Sequence, residues 1–147
     1  MGVEENKVPM IAPPGLSLEE MKRFVLSHFQ AFVNEKDLTQ ADRSFSADFL
    51  DHDEPTGAQV GVDAAKSMMR RAHVRWPDLR VEVEDILAEA DKVMVRNIWT
   101  GTEAESQKRI EFHGFVLWRF ASGKIVERWA TITAPKEIAL SGASGHE

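Results

Sequence analysis

The spacing of apolar residues changes its period once along this chain, at Trp76-Pro77-Asp78. Beyond that point Leu79, Val81 and Val83 alternate with Arg80, Glu82 and Glu84, the period of a strand with one wet face. Residues 92–102, 108–120 and 124–133 predict three further strands, and Ser122-Gly123 makes the last two a hairpin. Before that point the period is helical. Ser17-Leu18-Glu19-Glu20 has the form of a capping box, and Met21, Phe24, Val25, Phe29, Phe32 and Val33 follow at helical spacing to about residue 34 or 36. A short helix is expected over 37–45, then an extended segment over 48–53 and a turn at Glu54-Pro55-Thr56-Gly57. Ala65, Met68, Met69, Ala72 and Trp76 predict another helix over 62–75, ended by Pro77. Helices first and antiparallel strands afterwards is the order of an α+β fold.

The later strands are apolar on both faces, with Phe115 and Leu117 on one and Val116 and Trp118 on the other. A sheet of that kind is covered twice, here by helices on one side and by a partner subunit on the other. His113 faces away from Val116 and Trp118, so it belongs to the partner face or to a pocket according to the register.

At 147 residues there is room for one domain, expected over 17–138, between a disordered leader (1–16) and a disordered tail (139–147). The start has no basic stretch leading into an apolar run, and no segment has the length of a membrane span, so a cytoplasmic protein is expected. Cysteine is absent, which removes disulfides and thiolate chemistry. A net charge of −6 argues against nucleic acid as a partner. The basic residues Lys66, Arg70, Arg71 and Arg75 read as one solvated helix face. The five histidines are scattered, which argues against a metal centre.

Four stretches carry a resemblance: Ala47-Asp48-Phe49-Leu50-Asp51-His52, Trp76-Pro77-Asp78-Leu79, VMVRNIWTGT over 93–102, and FASGKIVERW over 120–129. Together they make the chain resemble the SnoaL-like polyketide cyclases of the nuclear transport factor 2-like superfamily. The resemblance implies a cone: a curved antiparallel sheet, the cystatin-like α+β barrel, packed on N-terminal helices, with an apolar pocket in its mouth and a homodimer through the sheet. It also implies an enzyme without metal or organic cofactor, moving a proton beside a carbonyl in a small apolar carbonyl or hydroxy compound, as an isomerase, dehydratase or cyclase. The fold hosts plain small-molecule-binding and dimerisation modules too.

By that resemblance His52 is the expected general base, with Asp51 facing outward and Asp53 in the turn. Phe29 stands where ketosteroid isomerases carry a tyrosine, and this chain has no tyrosine at all. Asn97 and Trp99 share a strand face, where an amide beside an indole is suited to orient a substrate carbonyl. Val116, Trp118, Arg128 and Ala130 complete the expected substrate contacts. Glu127 and Arg128 point to opposite faces, so only one enters the cone: Arg128 would favour an anionic substrate, Glu127 would be a second acid/base. The family's cyclases place an aspartate after the Trp-containing motif, whereas this chain has Ala130-Thr131-Ile132-Thr133 there.

Overall fold

The structure, a computed structural model, describes residues 12–54 and 57–139. Helix α1 (Leu18–His28) opens on the capping box, with the Ser17 side chain accepting from the Glu20 amide and Glu20 accepting from the Ser17 amide. It runs on without a break into a π-helical stretch, Phe29–Asn34, which buries Phe29, Phe32 and Val33. Asn34 then docks on the chain at Val81, accepting from its amide at 2.8 Å and donating to its carbonyl at 3.1 Å. A short helix, α2 (Gln40–Ser44), leads into strand β1 (Phe45–Asp51). Helix α3 spans Val62–Arg75, as the spacing predicts.

The long strands are β3 (Arg80–Glu89), β4 (Lys92–Thr102), β5 (Arg109–Ala121) and β6 (Lys124–Ile132). Two short strands, β2 (Gln59–Val60) and β7 (Lys136–Glu137), extend the sheet at β1 and at β5. The order β2-β1-β6-β5-β4-β3 is antiparallel except for the β1–β6 pair, which is parallel. The sheet curves over the helices without closing, so the fold is α+β and cone-shaped, with an open rather than a barrel-closed sheet. Ser122 and Gly123 both take positive φ, the geometry of a tight hairpin turn between β5 and β6.

Two bulges decide which side chains face the helices. Val83 pairs with Asn97 but Asp85 with Arg96, so Glu84 is the extra residue of β3. Phe120 pairs with Ile125 but Arg119 with Glu127, so Val126 is the extra residue of β6. Ile125 and Arg128 therefore both face inward, and Glu127 and Trp129 face outward with Arg119 and Leu117. Without the bulge, Glu127 would share the inward face with Ile125.

The core gathers Met21, Val25, Phe32, Phe45, Phe49, Val93, Val95 and Phe120 between α1 and the sheet. The last residues of the expected leader are held rather than loose: Pro13 and Pro14 accept from the amides of Ser122 and Gly123 at 2.8 and 2.7 Å. Gly15 passes so close that a Cβ there would lie 2.5 Å from the Gly123 nitrogen, at a φ of +80°. Residues 1–11 of that leader and 140–147 of the expected tail lie outside the described residues. Among the described residues no helix is long and apolar enough to cross a membrane. Of the basic cluster, Lys66, Arg71 and Arg75 are engaged by Asp42, Glu54 and Glu103, so that face is laced with ion pairs.

Candidate functional site

A cavity of about 620 Å³ opens between α3 and the inner face of β4–β6, within the range of small-molecule sites. Its apolar wall is built from Met68, Met69 and Ala72 of α3 facing Trp99, Phe112 and Ile132 of the sheet. Trp99 and Phe112 stack at 5.4 Å with their planes 12° apart, and Trp76 leans on Phe112 at 5.5 Å. Arg71 and Arg75 stand at the rim, each tied to a glutamate, with Arg75 lying over the Trp76 ring.

At the cavity floor Asp51 meets Arg128. The parallel pairing of β1 with β6 sets these residues side by side, and Nη1 of Arg128 donates to both carboxylate oxygens, at 2.8 and 3.0 Å. Their side chains are 5% and 11% exposed, so the pair is desolvated and depends on its own hydrogen bonds. The Asp53 amide adds a third bond to Asp51, and Arg128 lies 5.8 Å from the Trp118 ring. Asp53 also reaches the rim, where its carboxylate accepts from the Ala130 amide at 2.9 Å. The stretch Ala130–Thr133 carries no carboxylate of its own, and Asp51 and Asp53 stand next to it across the β1–β6 pairing.

Beneath the pair lies a smaller chamber of about 30 Å³, lined by Asp51, Arg128, His28, Phe29, Val116 and Trp118 among others. That is room for one or two water-sized groups. His28 is buried among Phe32, Phe45 and Trp118. Burial, with the charge of Arg128 adding to it, pushes its imidazole down to about 3. It is neutral at physiological pH.

Of the residues expected from sequence, Phe29, Trp99, Val116, Trp118, Arg128 and Ala130 all line the cavity or its chamber. Asn97 does not. It is fully buried behind Trp99, accepting from the indole N–H at 3.0 Å, and so sets the tilt of that wall instead of meeting a ligand. His52 is the main correction. The strand alternates as expected, but with the opposite sign: Asp51 faces the cavity and His52 the outer side of the sheet. There the His52 ring stacks on Trp129 at 4.7 Å, and its Nε2–H donates to Glu127 at 2.9 Å. Burial works against it, but the bonds from His52 and Arg119 hold the Glu127 carboxyl below its usual range. His113 is also outside, exposed beside Glu111. His28 was passed over in sequence, although it falls on the Met21–Val25–Phe32 stripe of the first helix. Among the described residues no group of three or more His, Asp or Glu side chains is arranged to hold a metal ion.

A model of the SnoaL-like polyketide cyclase family matches residues 23–133. The chain belongs to that family. Among solved structures, this SnoaL-like protein is similar to AclR of Streptomyces galilaeus, described as a candidate hydroxylase, at 29% identity and a TM-score of 0.70. That match covers 80% of this chain and 91% of AclR. A candidate polyketide cyclase of Bacillus cereus is similar at 27% identity and a TM-score of 0.68, covering 87% of this chain and 91% of the other. A candidate SnoaL-like polyketide cyclase of Jannaschia shares the fold at 17% identity and a TM-score of 0.71, over 86% and 91% of the two chains. No curated protein matches this SnoaL-like chain.

Proposed function

We propose that this SnoaL-like protein is an acid/base enzyme for a small apolar carbonyl or hydroxy compound, with Asp51 moving the proton. The observation that carries this reading is a carboxylate paired with Arg128 on the floor of an aromatic-walled cavity. In the proposed chemistry the Asp51 carboxylate takes a hydrogen from the carbon next to a carbonyl, leaving an enolate. Arg128, cationic throughout, faces the carboxylate before the transfer and the enolate after it, so charge moves without leaving its partner. Return of the proton elsewhere gives isomerisation, loss of a β-hydroxyl gives dehydration, and attack on a second carbonyl closes a ring. α-Tetralone is a suitable probe, since only its C2 hydrogens lie next to the carbonyl. In D₂O the protein is expected to exchange them for deuterium faster than buffer does, as followed by proton NMR. Binding of the ketone without any exchange would favour the second reading, a small-molecule-binding module, for which the carboxylate-free stretch Ala130–Thr133 speaks.

The outer face of the sheet supports a homodimer. Leu87, Met94 and Phe115 are 70%, 37% and 54% exposed there, and Leu87, Met94, Leu117 and Trp129 follow one another across paired strands. Light scattering at micromolar concentration is expected to give the mass of two chains, and Phe115→Glu to reduce it to one. A wild-type monomer would remove the proposal.

A further inference from the structure

We infer that His28 is the hydrogen-bond donor that receives the substrate oxygen, its Nε2–H held ready in the chamber by a relay from Gln40 through Ser44. The inference rests on the acid/base reading above and adds to it the group that accepts the charge. The relay fixes the tautomer. The Gln40 side-chain amide donates to Ser44 Oγ at 3.0 Å, and Ser44 Oγ lies 2.7 Å from His28 Nδ1. Ser44 is fully buried, and the acceptor within reach of its hydroxyl hydrogen among the described residues is His28 Nδ1. Nδ1 then carries no hydrogen, so the neutral ring carries it on Nε2.

Nε2 has no hydrogen-bond partner among the described residues, and His28 is one of the residues that line the chamber. The chamber is too small for a ring but admits an oxygen, and Asp51 and Arg128 line it as well. In the inferred pose an apolar body lies in the larger cavity and its carbonyl oxygen enters the chamber beside the ion pair, whose two members line both spaces. When Asp51 takes the neighbouring hydrogen, the C–H electron pair becomes the new C=C bond and the carbonyl π pair moves onto oxygen. His28 keeps its proton and shortens its hydrogen bond. A neutral donor suits this place, because it brings no extra charge next to Arg128.

The test uses the full chain labelled with ¹⁵N, observed through the long-range couplings of the histidine rings. Between pH about 5 and 8 His28 is expected as the neutral Nε2–H tautomer. α-Tetralone is expected to move its Nε2 signal, and tetralin, which lacks the oxygen, to leave it in place. His28→Phe is expected to slow the deuterium exchange of α-tetralone roughly 10²-fold, and Ser44→Ala to release the fixed tautomer. An Nδ1–H tautomer, or a response that is equal for both probes or absent from both, would overturn the inference. Exchange undiminished in His28→Phe would also overturn it and leave Asp51 standing. A tetralone-specific shift in a protein that exchanges nothing would support the donor while sinking the acid/base reading.

Discussion

Arg128→Met is expected to cost about 3–5 kcal/mol of stability, far more than the loss of one surface ion pair. The guanidinium is the principal partner of a carboxylate whose side chain is 5% exposed, and methionine fills its volume without replacing a single N–H. Asp51 would then have to stay charged without a counter-ion, or take up a proton to remain buried. Removing both members should be much milder: Asp51→Leu with Arg128→Met leaves an apolar floor and no orphaned charge. Urea unfolding of the two single variants and the double variant closes the cycle. A double variant as unstable as Arg128→Met would mean that the pair is not the unit described here.

Acid is expected to weaken the fold well before its carboxylates titrate. In the unfolded chain His28 takes a proton near 6.5, whereas in the folded chain burial holds it neutral down to about 3. Below 6.5 the unfolded state thus binds a proton that the folded state refuses, and stability falls with pH. The slope from this one residue is roughly 1–1.5 kcal/mol per pH unit. His73, lowered by burial, tilts the curve the same way. The depressed carboxyls of Asp78, Glu103 and Glu127 start from ordinary values of 3.8 or 4.5, so their contribution is lost only further down. Between pH 6.5 and 4.5 the histidines therefore dominate, and the fold should lose about 2–3 kcal/mol through His28. Urea midpoints across that window are expected to slope steeply in the wild type and much less in His28→Phe. Equal slopes would contradict a buried neutral His28.

Most of the architecture was legible because hydrophobic period is a physical demand of each element. The capping box at Ser17, the helix over 62–75 and the four long strands all follow from it. The site was legible only in part, because alternation tells which residues share a face but not which face is inside. Alternation sets Asp51 and His52 on opposite sides, but the inward residue is Asp51 and not, as the resemblance implies, His52. For β6 alternation leaves open whether Glu127 or Arg128 enters the cone, and the bulge at Val126 decides it by changing the phase and bringing Arg128, one of the expected contacts, inward. Nothing in Lys124-Ile125-Val126-Glu127 announces that extra residue. His28 was different: its place on the apolar stripe of α1 was visible, and a polar side chain there signals a buried hydrogen bond, which Ser44 supplies.

The most direct test of the inward carboxylate is to compare α-tetralone exchange in Asp51→Asn and His52→Gln under one set of conditions. Asparagine keeps the shape of Asp51 but cannot take the proton, so exchange should fall by about 10²–10⁴-fold. His52→Gln should leave it within a factor of about two, since that ring is on the outer face against Trp129 and Glu127. Collapse of exchange in His52→Gln, with Asp51→Asn still active, would put the working base on the other side of the sheet.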